Sequence, residues 1–119
     1  MSKDVDAVAK VVIQRKGSIL MLLKDTNEWE LTGGHLQQGE KYTQGAKREV
    51  FEETSIVIKR LYKLCKQKDF MLFLATPKIC KVILSDEHIH YGWFKREQLK
   101  KLKVTKSTKL NWKKIISTI

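Results

Sequence analysis

Gly34-His35-Leu36-Gln37-Gln38-Gly39-Glu40-Lys41-Tyr42-Thr43-Gln44-Gly45-Ala46-Lys47-Arg48-Glu49-Val50-Phe51-Glu52-Glu53-Thr54-Ser55-Ile56 is the segment where local rules break and chemistry concentrates. Thr43 to Thr54 predicts a helix, with Thr43 as N-cap. Glu49 and Glu52 are spaced i, i+3, and Glu49 and Glu53 i, i+4. At about 100° per residue the three carboxylates share an arc of about 100°. Like charges so close destabilise a helix, and in its second half the dipole also disfavours them. Arg48 is the only local compensation. Two broken rules in one place tend to mark function. A divalent cation would turn the repulsion into binding, and an all-oxygen set favours Mg²⁺ or Mn²⁺ over zinc. A solvated acidic face explains the helix alone equally well.

Working outward, two glycines precede this helix in Trp29-Glu30-Leu31-Thr32-Gly33-Gly34-His35, and Gly39 follows. They mark a loop whose backbone bends or approaches something closely. Upstream, Ala7 to Gln14 and Ile19 to Lys24 predict two strands around a turn at Lys16-Gly17-Ser18, with a second turn at Asp25-Thr26-Asn27. Downstream, Ile56 to Cys65 and Asp69 to Thr76 predict antiparallel strands joined at Lys66-Gln67-Lys68. Lys81 to Leu84 and Ile89 to Phe94 are further strands, and Arg96 to Leu102 and Thr108 to Ile116 are helices. The order suggests one α/β domain over residues 1–119, a mixed sheet with helices packed on it.

The 119 residues carry 24 Lys or Arg against 13 Asp or Glu, a formal net charge of +11. That favours anionic partners, although a lysine-rich solvated surface is the plain alternative. Six of the 13 acids fall between Glu28 and Glu53. Nine basic residues and one acid fall within residues 95–114: Lys95, Arg96, Lys100, Lys101, Lys103, Lys106, Lys109, Lys113 and Lys114, against Glu97. Two cysteines, Cys65 and Cys80, suit a reducing compartment better than a disulfide framework. Met1 to Asp6 lacks the apolar stretch of a signal peptide, and no apolar run is long enough to span a membrane. The expectation is a cytoplasmic monomer or homodimer.

Gly34, Glu40, Arg48-Glu49-Val50, Glu52-Glu53 and Ile56 stand at the spacing of the Nudix box, which the segment resembles. Every specified position matches except one, where Ser55 replaces a glycine. At ordinary residue frequencies a chance match this good is below about 10⁻⁵. Thr32 replaces the proline common before the Gly-Gly pair in relatives. The resemblance implies the Nudix α/β/α sandwich and hydrolysis of a pyrophosphate bond in a nucleoside diphosphate derivative, with Mg²⁺ or Mn²⁺. It implies Glu49, Glu52, Glu53 and the Gly34 carbonyl as metal ligands. Arg48 would orient Glu49, and Glu40 would fix the loop or Arg48 from behind. The general base is a box glutamate, Glu49 or Glu53, or a distant acid, for which Glu87 is the candidate. His35, Trp29 and Gly33 would meet substrate, with a surface histidine and a hydrophobic plug as the plain readings of the first two.

Within that family the expected substrate is a nucleoside triphosphate, oxidised or not, in the manner of MutT-type members. Action on the 5′ end of RNA, guided by the basic residues 95–114, is the alternative. A non-catalytic module that binds nucleotide or RNA is a further one.

Overall fold

A computed structural model describes residues 6–119; the segment before Asp6, where a leader was sought and not expected, lies outside the described residues. The elements are β1 (Val8–Arg15), β2 (Ser18–Leu23), β3 (Trp29–Glu30), β4 (Thr32–His35), α1 (Tyr42–Thr54), β5 (Tyr62–Gln67), β6 (Phe70–Ala75), β7 (His90–Phe94), α2 (Arg96–Leu99), α3 (Lys106–Leu110) and α4 (Trp112–Ile116).

β1 is central because its apolar run can be buried on both faces. It pairs antiparallel with β4 (Ala9 opposite Gly34, Lys10 opposite Gly33), parallel with β6, and forms a hairpin with β2. β3 and β7 flank β2, and β5 closes the other edge beyond β6. Period-two alternation splits each apolar strand between two cores. Val11, Ile13, Leu20, Leu22 and Phe73 face the core under α1, where Ala46 and Val50 meet them. Val12, Ile19, Met21 and Leu72 face the opposite core, closed by Leu99 and Ile115, with Trp112 packed against it. Helices therefore cover both faces of a mixed sheet, as expected. No helix among the described residues is long and apolar enough to cross a membrane.

Boundaries differ from expectation in four places. α1 begins at Tyr42 with Lys41 as N-cap, not Thr43, and the Gln44 side chain accepts the Lys41 N–H at 2.8 Å. Residues 56–61 pair with no strand, so β5 starts at Tyr62 and its turn falls at Lys68-Asp69. Lys81–Leu84 forms no strand. Thr108–Ile116 is two short helices broken at Asn111, because Thr105 caps a separate turn through the Thr108 N–H.

Candidate active site

Crossing α1 with β4 brings the glutamates and the Gly-Gly pair into one cleft of about 510 Å³. Gly33 stands at φ +126°, and a Cβ there would lie 2.2 Å from the Ala9 carbonyl oxygen, so only glycine fits beside β1. Gly34 is constrained from the other side, since its Cβ would lie 2.7 Å from Glu49 Oε1. The two glycines thus let the β4 backbone press against the helix that carries the carboxylates.

Glu53 is 4% exposed. Its Oε1 accepts the Thr32 hydroxyl at 2.7 Å and the Gly33 N–H at 2.8 Å. Burial pushes its carboxyl up to about 7, against those two hydrogen bonds and the charges of Lys10 and His88. Burial also raises the Glu49 carboxyl, opposed by Arg48 and assisted by the negative charges of Glu52 and Glu87. Arg48 is the hub of the helix face. Its Nε and Nη2 grip Glu40 at 2.7 and 3.0 Å, and its Nη1 donates to Glu49 at 3.0 Å and Glu52 at 2.9 Å. Nη2 also donates to the His35 carbonyl at 3.0 Å. The Glu40 bonds hold the guanidinium charged, and Arg48 in turn lowers the Glu40 carboxyl.

Gly33, Gly34, His35, Glu49, Glu53 and Glu87 all line the cleft. Four sequence candidates do not: Arg48 and Glu40, which act on the helix face behind it, and Glu52 and Trp29. Glu52 is half exposed and turned to Arg48. The half-buried Trp29 ring packs edge-on against Phe94, centroids 4.9 Å apart, beside the core closed by Leu99 and Ile115. Val8, Lys10, Lys24, Glu30, His88 and Ser107, which the sequence did not single out, complete the lining. Lys10 Nζ donates to Glu30 Oε1 at 3.4 Å and to the Leu31 and Gly33 carbonyls at 3.3 Å each. His88 Nε2 lies 2.7 Å from Glu30 Oε2. His88 Nδ1 is buried without a partner among the described residues, so the tautomer with its proton on Nε2 strands the fewest donors. Burial pushes the Glu30 carboxyl up, and the His88 bond and Lys10 charge more than offset it, leaving it below the usual range. The one available signal was Lys10 itself, a lone charge inside an apolar strand.

Among the described residues no three acid, His or Cys side chains already form a metal cage. The donor set nonetheless fits a hard cation. Glu49 and Glu53 both line one cleft, each with its carboxyl raised by burial, and a divalent ion held there would supply the neutralising charge that burial withholds.

The chain belongs to the NUDIX domain family, whose model matches residues 3–113. This places it among the Nudix hydrolases. It is 35% identical over 63 residues to the oxidized purine nucleoside triphosphate hydrolase of Mus musculus, a match covering 52% of this chain and 39% of that protein. It superposes on a MutT NUDIX hydrolase from Burkholderia pseudomallei with a TM-score of 0.73 at 22% identity, over 91% of this chain and 95% of the other. A C. elegans Ap4A hydrolase gives a TM-score of 0.72 at 26% identity, over 93% and 96%.

Proposed function

We propose that this chain, as one Nudix domain over residues 1–119, hydrolyses nucleoside triphosphates, oxidised ones included, to monophosphate and pyrophosphate, with Mg²⁺ or Mn²⁺. The observation that carries the reading is the convergence of Glu49 and Glu53 on one cleft against a strand where only glycine fits. The likeness to the mouse triphosphate hydrolase supports the substrate class. Glu49, Glu52 and Glu53 would hold the cation with the Gly34 carbonyl. When bound, the cation supplies charge neutralisation around the attacked phosphorus and activates water. Arg48 keeps Glu49 and Glu52 oriented through the contacts above. Glu87 faces Glu49 across the cleft and is the proton acceptor for the attacking water. Lys10 and Lys24 offer positive charge to the substrate phosphates. His35 and Gly33 border the same space.

A second reading, processing of RNA 5′ ends, is favoured by one contact pattern. Ser107, which lies within the basic run 95–114, lines the cleft, so part of that run reaches the site. A phosphate-release screen over nucleoside triphosphates, Ap4A and 5′-triphosphorylated RNA, with Mg²⁺ or with chelator, tests the proposal. The expected result is metal-dependent turnover of a mononucleotide that falls at least about 10²-fold in Glu49→Gln and Glu53→Gln. Near-normal turnover by both variants at limiting Mg²⁺ would overturn the assignment.

A further inference from the structure

The first part of one expected strand, residues 56–61, and the whole of another, Lys81–Leu84, stand outside the sheet on one side of the molecule. With the residues that lead into the second, the segments are 56–61, after α1, and 77–84, after β6, with a bend at Lys78. Both alternate with period two. Ile56 and Ile58 from the first, and Cys80, Val82 and Leu84 from the second, face the core under α1. The intervening residues face outward, with Val57 63%, Ile79 80% and Ile83 60% exposed. Of the backbone groups in these segments, the Ile83 N–H is taken by the Thr54 carbonyl at 2.9 Å, while residues 77–82 make no backbone–backbone hydrogen bond among the described residues. Between the segments lies a groove of about 720 Å³, apart from the cleft and sharing no lining residue with it.

The groove has both halves of a strand-pairing site. It offers backbone groups that join no ladder, in segments whose burial alternates from residue to residue, and it offers exposed apolar side chains at alternate positions. Its charge is one-sided. Lys59, Arg60, Lys78 and Lys81 line it, and no carboxylate does. Two copies of this face would oppose four cations with four cations, which disfavours a second copy as occupant. Along the second segment the outward order is Ile79, Lys81, Ile83, an apolar–cation–apolar ladder. The complement of such a ladder is an extended strand in which apolar and acidic side chains alternate.

We propose that this groove is a docking site for an extended segment of a partner protein with alternating apolar and acidic residues, added as a strand between residues 56–61 and 77–84. Binding joins backbone to backbone, buries Val57, Ile79 and Ile83, and pairs the lysines with carboxylates.

The test uses the whole chain, ¹⁵N-labelled, titrated with an end-blocked octapeptide alternating Leu and Glu, and in parallel with one alternating Leu and Lys. The expected result is saturable amide shifts confined to residues 56–62 and 77–84 with the Leu-Glu peptide alone. Ile79→Glu with Ile83→Glu should weaken binding at least about tenfold. Lys59→Glu with Lys81→Glu should reverse the preference toward the Leu-Lys peptide. Both double variants change exposed side chains outside the cleft, so nucleotide hydrolysis should stay at the parental level, which also reports that they fold. Absence of saturable shifts, equal binding of both peptides, or a concentration-dependent dimer abolished by Ile79→Glu would overturn the proposal.

Discussion

Individual atoms set the tolerances of the cleft, and Gly33 and Gly34 show two different ones. A Cβ at Gly33 meets backbone, the Ala9 carbonyl at 2.2 Å, and φ +126° is strained for any side chain. A Cβ at Gly34 meets only the end of the Glu49 side chain. Gly33→Ala should therefore destabilise the fold by on the order of 3 kcal/mol or more. Gly34→Ala should leave the denaturation midpoint nearly unchanged while displacing Glu49 and lowering turnover at least about tenfold. Equal stability losses in both, read from urea unfolding, would contradict this division. Glu53 makes a second residue-level prediction. Its folded carboxyl is raised to about 7, above the ordinary value of 4.5. Between those values the folded state binds more protons than the unfolded one. Metal-free stability should thus fall as pH rises from about 4.5 to about 7, and Glu53→Gln should flatten that slope. Denaturant midpoints at pH 5 and pH 7.5 decide it, and an unchanged slope in the variant would rule Glu53 out as the source.

At the scale of elements, α1 carries both the chemistry and a local weakness. Its C-terminus ends on Ser55 at φ 63°, a left-handed position, with the Ser55 N–H on the Phe51 carbonyl at 2.8 Å. Glycine takes that conformation without a Cβ penalty. Ser55→Gly should raise stability by about 1 kcal/mol, a Tm gain of about 4–8 °C for a domain near this size. Turnover should not change, because Ser55 lies outside the cleft. A Tm at or below the parental value would show that the serine hydroxyl contributes something its backbone geometry does not reveal. The glutamate spacing and the Gly-Gly loop of this element pair were legible in the sequence because helix period and glycine permissiveness are local properties. The Arg48 grip on Glu40 was anticipated only through the family resemblance. Its geometry depends on how the loop folds back over the helix, eight positions apart in the chain.

Across the whole molecule, the net charge of +11 includes the basic run 95–114, and Ser107 of that run lines the cleft. A mononucleotide engages the cleft alone, so its KM should change modestly with ionic strength. A single-stranded RNA across the basic run should lose affinity with a slope near −0.7 per phosphate contacted. Replacing Lys100, Lys101 and Lys103 with Gln together should flatten an RNA slope by up to about two units and leave mononucleotide turnover untouched. Efficient RNA 5′ processing that depends on those lysines would favour the second reading over the first.

What the sequence by itself determined was local and periodic. The continuous apolar runs of β1, β2 and β6 specified a sheet buried on both faces, and the i, i+3, i+4 glutamates specified a helix with a strained acidic face, the basis of the proposed site. Tertiary structure decided whatever depended on strand register or on partners distant in the chain. Lys10 faces the cleft because β1 pairs with β4 in one register and not its neighbour, which would turn every side chain to the other face. His88 meets Glu30 across 58 positions, a contact no local pattern encodes. Trp29 packs against Phe94 outside the cleft lining because strand pairing brings Phe94 beside it. Ile56–Leu61 and Lys81–Leu84 carry strand periodicity without forming strands, because the pattern states a side-chain preference while a strand also requires a neighbour in place to take its hydrogen bonds.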